Sequence, residues 1–439
     1  MRIAIALQEL LPLRQMLQDG HVDDGTYVVQ GYLAAALRAR GHQLTFIAPR
    51  DIHEVECATD LNQPALVSRT WSNSWWFRLA ASVVWKCQQA LGVPYLNVFS
   101  NHRLFDAGVQ CLRGHDVVYE RNGMYNVGVA RAARHLNLPY IVFFEADQLL
   151  EQDYMNRAVS RLQRWRAARI LRENLRTADS VICVSEQAKA RAVDAWSVPP
   201  DRIAVFSNGV DLERFRPDAE ARRAVREKLG VTDEPVIVFV GTFFKWHDVG
   251  TLLQAFTTAR TRTPRARLVL VGDGIERPAF ERLSGVLGLA DSVHFLGLIN
   301  HLEVPRVLSA ADIAVAPYPA MTHDLWLSPL KLFEYMAAGL AIIGSRVGQV
   351  ANVLTHEQSA LLVAPGDAAA LAAALDRLIV DPALRQRLGA QACEHAVARH
   401  SWARYAEKLE ALFASVAEQR TRGRGAFPRQ PQPMPRAGA

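Results

Sequence analysis

The feature that most constrains this chain is a repeated alternation of short apolar runs with helical patterns. Parallel strands need long crossover connections, which are usually helical, so this rhythm predicts parallel sheets covered by helices. The expected strands of the first half are Arg2–Leu7, Gln43–Ala48, Val117–Tyr119, Tyr140–Phe144, Ser180–Val184 and Ile203–Phe206. Those of the second half are Val236–Val240, Arg267–Val271, Val293–Phe295, Ile313–Ala316, Leu340–Ile343 and Ala360–Val363.

The rhythm pauses once, in a turn-rich and then charged segment between residues 207 and 235. Such a pause is typical of a hinge between domains. We therefore predict two doubly wound α/β domains, at residues 1–207 and 208–401. A C-terminal helix is expected at 402–419, capped by Ser401, and a disordered basic tail rich in Pro, Arg and Gly at 420–439.

Composition narrows the class of protein. Half of the 439 residues are hydrophobic and 21% are charged, as in a globular chain with large cores. The formal net charge is +6, but the last twenty residues contain five arginines and no acid, which leaves +1 for the remainder. A chain this close to neutral lacks the broad cationic surface of a nucleic-acid-binding protein.

The spacing of cysteine and histidine argues against a metal site. The five cysteines form no C-x-x-C pair, and the 13 histidines form no H-E-x-x-H pattern. We therefore expect no bound metal, no disulfide framework and a reducing compartment. No apolar run reaches the roughly 18 residues of a membrane span, and the N-terminus lacks a signal-peptide pattern, so the expected location is the cytoplasm.

The segment from Ser328 to Gly339 is the most informative motif. Ser328 suits a helix cap, Pro329 the first helical position and Gly339 the left-handed residue that ends a helix. A helix that begins at the rim of a parallel sheet directs free N–H groups at an anion such as a diphosphate. Lys331 would bind that anion, and Glu334 would hold the hydroxyls of a ribose. The alternative is a surface Lys–Glu pair on a packed helix.

A second candidate follows the strand Val236–Val240. Gly241 would let a ligand approach the backbone, and Lys245 or His247 would reach phosphate oxygens. The alternative is an ordinary loop with an exposed cation. Val271-Gly272-Asp273-Gly274 is neither a G-x-G-x-x-G nor a P-loop motif, so a dinucleotide dehydrogenase or P-loop kinase is poorly supported.

In the first half, a long loop after the first strand leads to Asp24 and Gly25, and Gly25 would permit close approach of a sugar or phosphate. Glu120 and Glu145 each follow a strand and are expected at the same sheet edge, where a carboxylate would hold an acceptor hydroxyl or take a proton. A structural pair of Glu120 with Arg121 is the alternative.

Two further stretches could contact a membrane. Trp71, Trp75, Trp76, Phe77 and Trp85 form an aromatic stretch. Arg157, Arg161, Arg164 and Arg172 are expected on one helical face. Together they would dock the protein peripherally on an anionic membrane surface. A buried helix and a solvated face would explain the same pattern.

Taken in order, the motifs resemble those of the family-4 retaining glycosyltransferases, over roughly residues 1–419. The residues that carry the resemblance are Asp24-Gly25, Arg40-Gly41-His42, Val184-Ser185-Glu186, Asn208-Gly209-Val210-Asp211 with Phe215 and Pro217, Val240-Gly241, Val271-Gly272-Asp273-Gly274, Phe295-Leu296-Gly297 and Lys331 to Gly339. At Glu145-Ala146-Asp147, where many members have a histidine, the chain resembles a branch of bacterial polysaccharide enzymes.

The resemblance implies a GT-B fold, in which two Rossmann-like domains face a cleft and the C-terminal helix packs back toward the N-terminal domain. It implies a metal-independent, retaining transfer of a sugar from a nucleotide-diphosphate donor to an acceptor hydroxyl, without a cofactor, in polysaccharide or glycolipid biosynthesis. The donor would bind the second domain, and a carbohydrate or lipid-linked acceptor the first.

Carried over position by position, the resemblance gives catalytic roles to Glu145, Lys245, Lys331 and Glu334. The donor contacts, together with Gly25, are Gly241, Lys245, Leu298, Ser328, Leu330, Lys331 and Glu334. The chain departs from the family pattern at Thr242 and His247, where an arginine and a lysine are common, and at Trp326, where the first glutamate of an E-x7-E pair would fall. A GT-B epimerase or phosphorylase, or a catalytically degenerate partner protein, are the alternatives.

Overall fold

The computed structural model describes residues 1–21, 25–67, 70–94, 96–155, 157–322 and 325–425, with side chains described up to residue 420. Asp24 and residues 426–439 therefore lie outside the described residues. The described chain forms two α/β domains, each built on one sheet. The predicted fold class is confirmed.

The first sheet has eight strands in the described residues, in the order β4-β3-β2-β1-β5-β6-β7-β8. They are β1 Arg2–Ala6, β2 Gln43–Pro49, β3 Val55–Ala58, β4 Ala65–Leu66, β5 Val117–Arg121, β6 Tyr140–Phe144, β7 Ser180–Cys183 and β8 Ile203–Val205. Strands β3 and β4 run antiparallel at one edge and were not predicted. Both are too short to show a clear apolar run; β3 is only partly buried, and both residues of β4 are exposed.

The second sheet has six strands in the described residues, all parallel, in the order β11-β10-β9-β12-β13-β14. They are β9 Val236–Val240, β10 Arg267–Val271, β11 Val293–Gly297, β12 Ile313–Ala316, β13 Ala341–Ser345 and β14 Leu361–Val363. Each matches a predicted strand to within two residues at either end. The order reverses beside β9, where such sheets open a crevice at the carboxyl ends of their strands.

Helices cover both sheets. Those before β9 are α1 Leu11–Asp19, α2 Gly25–Ala39, α3 Trp75–Ala90, α4 Val98–Cys111, α5 Gly128–His135, α6 Gln148–Tyr154, α7 Arg161–Thr177, α8 Glu186–Trp196 and α9 Ala219–Lys228. Those after it are α10 Val249–Arg260, α11 Arg277–Val286, α12 Val304–Ala310, α13 Leu330–Ala337, α14 Gly348–Val353, α15 Ala368–Val380, α16 Pro382–Arg399 and α17 Trp402–Gly425. No helix in the described residues is long and apolar enough to cross a membrane.

Helix α17 packs back on the first domain, as predicted. Leu409 and Phe413 are fully buried in that domain's core, and the Phe413 ring lies 6.3 Å from the ring of Tyr119. The predicted end of the helix at residue 419 is wrong, because the helix continues to Gly425. Arg420 holds this last part in place through a hydrogen bond from its Nε to Asp179 Oδ1 at 2.9 Å.

The two domains meet around a cleft and touch on both sides of it. On one side, Ser185 Oγ donates to the carbonyl of Trp326 at 2.5 Å. On the other, Asn300 Nδ2 donates to the carbonyl of Asp19 at 2.5 Å. These contacts hold the carboxyl ends of the two sheets facing each other.

Candidate functional site

The cleft between the domains has a volume of about 630 Å³. Most of the residues singled out in the sequence line it. They are Gly25 and Glu145 from the first domain and Gly241, Leu298, Ser328, Leu330, Lys331 and Glu334 from the second. Lys245 is not among the lining residues.

Helix α13 begins at this cleft, one residue later than predicted. Pro329 is its cap residue, with extended backbone angles, and Leu330 is the first helical residue. Ser328 therefore does not cap the helix. Its Oγ instead accepts a hydrogen bond from the backbone N–H of Asn208 at 2.9 Å, and Asn208 Nδ2 donates to the Ser328 carbonyl at 2.7 Å. Gly339 adopts the predicted left-handed conformation, with φ +68°.

Lys331 occupies the first turn of α13 with its ammonium group buried. Its Nζ lies 4.2 Å from the centre of the Phe239 ring and has no hydrogen-bond partner among the described residues. Burial lowers the pKa of Lys331 to about 7, and the nearby charge of Glu334 only partly opposes that shift. A Cβ at position 241 would overlap Nζ, so the glycine there makes room for this side chain. An unpartnered buried amine at the end of a cleft is a strong candidate for binding an anion.

Glu334 lies one turn deeper in the same helix and is also buried. Its Oε1 accepts a hydrogen bond from His301 Nε2 at 2.9 Å. His301 lines the cleft and stacks edge-on against Tyr32 of the first domain, with the ring centres 6.0 Å apart. The hydrogen bond fixes one carboxylate oxygen of Glu334. His301 was not identified in the sequence, and no spacing there links it to Glu334.

The loop after β9 does not place its lysine as expected. Lys245 is exposed and does not line the cleft, whereas Thr242 and His247 do. His247 Nδ1 donates to the carbonyl of Thr242 at 2.5 Å. Burial, together with the charge of Lys331, lowers the pKa of His247 well below its ordinary value. The loop thus offers the cleft a neutral imidazole and a hydroxyl, and the expected role of Lys245 there is not supported by its position.

On the first domain, Glu145 faces the cleft as part of a polar cluster. It accepts hydrogen bonds from Arg121 Nε at 3.1 Å and from Thr26 Oγ1 at 3.2 Å. Arg121 also donates to Thr26 Oγ1 at 2.9 Å. The alternative interpretation, a structural pair of Arg121 with Glu120, is wrong, because Arg121 pairs with Glu145 instead.

The expectation that Glu120 shares the sheet edge with Glu145 is wrong. Strand β5 continues to Arg121, so Glu120 points into the core, where its carboxylate accepts a hydrogen bond from the Tyr140 hydroxyl at 2.7 Å. Burial raises the pKa of Glu120 to about 8, against the effect of that hydrogen bond. Glu120 is a structural residue, and Glu145 is the carboxylate that the cleft presents.

Two further predictions from the sequence concern Trp326 and the binding of a metal ion. Trp326, in the position of the missing first glutamate, is buried in the first domain's core cluster and does not line the cleft. In the described part of the chain, no group of three or more His, Cys, Asp or Glu side chains is placed to hold a metal ion.

Two family models match the chain. One, described as Glycosyltransferase Family 4, covers residues 24–214, and the other, described as Glycosyl transferases group 1, covers residues 234–381. The two ranges fall on the first and the second domain. The gap between them, residues 215–233, lies in the segment that separates the two sheets.

Characterised relatives are similar over part of their length. An alpha-D-kanosaminyltransferase of Streptomyces kanamyceticus is 24% identical over 65% of this chain and 72% of its own. D-inositol 3-phosphate glycosyltransferase 2 of Catenulispora acidiphila is 32% identical over 55% of this chain and 57% of its own. The chain thus spans little more than half the length of the second relative.

Solved structures share the whole fold at low sequence identity. The HepE protein of Anabaena, in complex with UDP and glucose, superposes with a TM-score of 0.64 at 17% identity. The match covers 97% of this chain and 100% of that one. The similarity establishes a common two-domain architecture.

Proposed function

This chain belongs to the family-4 glycosyltransferases, and from that premise we propose that it transfers a sugar from a nucleoside-diphosphate donor to an acceptor hydroxyl, with retention at the anomeric carbon. The observation that carries the proposal is the unpartnered, buried Nζ of Lys331 at the start of α13, with Glu334 one turn deeper in the same cleft. Among the described residues that line the cleft, no other short element combines a cation, free helical N–H groups and a buried carboxylate.

The donor's diphosphate would lie against the first turn of α13. There the free N–H groups and the helix dipole favour negative charge. A bound anion also raises the pKa of Lys331, so the amine takes up a proton and becomes fully positive. Such preorganised stabilisation of the leaving group is usually the largest contribution to catalysis of this kind. Leu330 and Ser328 would border the diphosphate, and Gly241 would let it approach the backbone of β9.

The nucleoside would extend toward Glu334 and Leu298. Because His301 holds one carboxylate oxygen of Glu334, the other is available for a vicinal hydroxyl of the ribose. Leu298 is exposed and lines the cleft, so it would border the base.

The acceptor would enter from the first domain, beside Gly25 and the cluster of Glu145, Arg121 and Thr26. In the transfer step the bond from the anomeric carbon to the diphosphate breaks, and a bond to the acceptor oxygen forms on the same face. The acceptor's proton passes to the departing phosphate oxygen, so retention needs no enzyme nucleophile. Glu145 would orient the acceptor by accepting a hydrogen bond from one of its hydroxyls.

We infer that this reaction uses no metal or cofactor, because α13 and Lys331 already place positive charge at the diphosphate. We further infer a carbohydrate or lipid-linked acceptor, a role in polysaccharide or glycolipid biosynthesis, and a cytoplasmic location with peripheral contact to the inner membrane. An activity that persists in chelator would support the first inference.

The direct test is calorimetric titration with UDP, GDP and their sugars, followed by NMR analysis of the products with a panel of acceptors. Lys331→Ala and Glu334→Ala should weaken binding of the preferred nucleotide and lower transfer by about 100-fold or more. Lys228→Ala and Glu227→Ala, exposed on α9, are the matched controls and should change neither.

Wild-type transfer by both cleft variants would refute the donor site. An altered free sugar, or a sugar phosphate made with inorganic phosphate, would identify an epimerase or a phosphorylase instead. Failure to bind any nucleotide would indicate a degenerate partner protein.

A further inference from the structure

Helix α3 lies against the first domain with most of its surface in solvent. Only Phe77 and Ala81 of its 16 residues are buried. Trp71, just before the helix, and Trp75 and Trp76 in its first turn are 73%, 60% and 65% exposed. Further along, the exposed apolar side chains are Leu79, Val83, Val84 and Leu91. An apolar surface this extensive on a folded domain marks an interaction site.

The charged side chains of the segment that forms this surface are all basic. The sequence contains no Asp or Glu between Asp60 and Asp106, while Arg78 and Lys86 are exposed on α3 itself. A helix that combines exposed tryptophans with basic residues and no acids is typical of the boundary between water and lipid headgroups.

Helix α7 presents a second surface of the same kind. Its exposed residues fall on one face and are Arg161, Leu162, Trp165, Arg169, Arg172 and Arg176. Trp165 is 56% exposed, with the guanidinium of Arg169 5.7 Å from its ring centre. The one acid in α7, Glu173, is bound by Arg131 through two hydrogen bonds. The exposed face of α7 is therefore cationic.

The arginines of α7 border a concavity of about 750 Å³ that Arg134 and Arg420 also line. Two of the predicted basic residues lie elsewhere, because Arg157 precedes the helix and lines the cleft, and Arg164 pairs with Asp153. The basic face is nevertheless real; it is formed by Arg161, Arg169, Arg172 and Arg176.

Both helices belong to the first domain. Arg166 in α7 donates from Nε to the carbonyl of Leu96 at 3.1 Å, and Leu96 belongs to the segment that connects α3 to α4. Neither helix contributes a residue to the lining of the cleft. The exposed face of α3 and the basic face of α7 are thus two faces of the first domain that lie outside the candidate active site.

We propose that these two faces of the first domain dock the protein on an anionic lipid bilayer. The tryptophans, with Leu79 and Val83, insert among the headgroups, and the arginines of α7 bind lipid phosphates. A nucleic acid would bind the arginines but would leave the aliphatic side chains of α3 in water. An anionic lipid surface would bind the arginines and also bury those aliphatic side chains. This proposal does not depend on the transfer reaction.

The test is co-sedimentation of the full chain with vesicles of phosphatidylcholine and of equal parts phosphatidylcholine and phosphatidylglycerol. The protein should bind the anionic vesicles, bind the neutral ones far less, and lose affinity as salt is raised. R169Q/R172Q/R176Q should lower the partition coefficient roughly 100-fold, at about fivefold for each arginine. W75S/W76S should lower it at least about tenfold on both vesicle types.

Matched controls replace side chains of the same types on the second domain. R223Q/R282Q/R399Q removes three exposed arginines, and I275S/V286S removes two exposed apolar side chains. These variants should bind vesicles like the wild type. All variants should keep the wild-type melting temperature and nucleotide affinity, which separates docking from folding and from the active site.

Wild-type binding by both surface variants would overturn the proposal. So would equal binding to neutral and anionic vesicles, or no binding to either. In the last case the same surface would have to serve a protein partner.

Discussion

At the scale of single residues, the burial of Lys331 destabilises the charged form of the side chain that is proposed to bind the diphosphate. Burial lowers its pKa to about 7 from an ordinary value near 10.5, so the free amine is largely neutral at mildly alkaline pH. A diphosphate favours the charged form, so nucleotide binding at about pH 8 should take up close to one proton. Calorimetry in buffers of different ionisation enthalpy measures this uptake. Lys331→Met should abolish it, and uptake that persists in the variant would assign it to another group.

The same shift makes a stability prediction. A base whose pKa is lower in the folded than in the unfolded state destabilises the fold fully below the folded pKa and not at all above the unfolded one. Lys331→Met should therefore raise the free energy of unfolding by about 1–4 kcal/mol near pH 6, with the gain fading as pH approaches 10.5. Urea unfolding at several pH values measures it. An equal gain at all pH values would point to packing rather than charge.

The buried carboxylate of Glu120 should change the stability with pH in the opposite direction to Lys331. Its pKa is raised by burial to about 8, from an ordinary value of 4.5, so the carboxylate destabilises the fold progressively as pH rises from 4.5 to about 8. Glu120→Gln keeps a partner for the Tyr140 hydroxyl without the charge. It should be neutral near pH 4 and stabilising by about 1–3 kcal/mol near pH 9. A loss of stability at both values would show that the carboxylate is required for packing.

Glu120 also shows the limit of reading strand ends from sequence. The apolar run ends at Tyr119, which predicted that Glu120 leaves the sheet, but pairing continues to Arg121. Side chains alternate along a strand, so this two-residue extension sends Glu120 into the core and leaves Arg121 to reach the cleft. The length of a strand therefore decides which of its last carboxylates faces a site. That length cannot be judged from the sequence where the last residues of the strand are polar.

At the scale of elements, the parallel strands were predictable because most of them are buried on both faces and form short apolar runs. The start of α13 was predictable to one residue from Ser328 and Pro329, and its end from Gly339. The short helical turn at Lys245–His247 was not, because its direction is set by the burial of His247. The pairing of His301 with Glu334 joins a short helical turn to a helix 33 residues away in the chain, and nothing local in the sequence signals it.

Helix α17 is the element outside the cleft that we expect to contribute most to the stability of the first domain. Phe413 is fully buried against Tyr119, in the core of a domain whose sheet ends some 200 residues earlier in the chain. Phe413→Ala should destabilise the first domain by about 3–5 kcal/mol. Urea unfolding measures this loss, and Val397→Ala, at an exposed position of α16, is the control. A loss confined to the second domain would contradict the packing described here.

At the scale of the whole molecule, the contact between the domains is linked to the nucleotide site. The His301 backbone N–H donates to the Gly20 carbonyl of the first domain at 3.3 Å, while the His301 ring holds Glu334. Closing the cleft on this side therefore also places the histidine that orients the expected ribose ligand. Family membership and strand order do not reveal this link, because it requires the positions of both domains at once.

Gly20 offers a way to open the cleft without touching the donor. Its φ is +72°, and a Cβ there would overlap the side chain of Leu302. Gly20→Ala should push the domains apart and weaken nucleotide binding by about tenfold, since His301 would no longer be held against Gly20. Small-angle scattering should show a larger radius of gyration. Gly230→Ala is the control. Gly230 also has a positive φ of +66°, but no atom lies within 4 Å of the added Cβ, so the variant has a similar backbone strain and no steric overlap. If both variants bind nucleotide equally well, closure on this side does not govern the donor site.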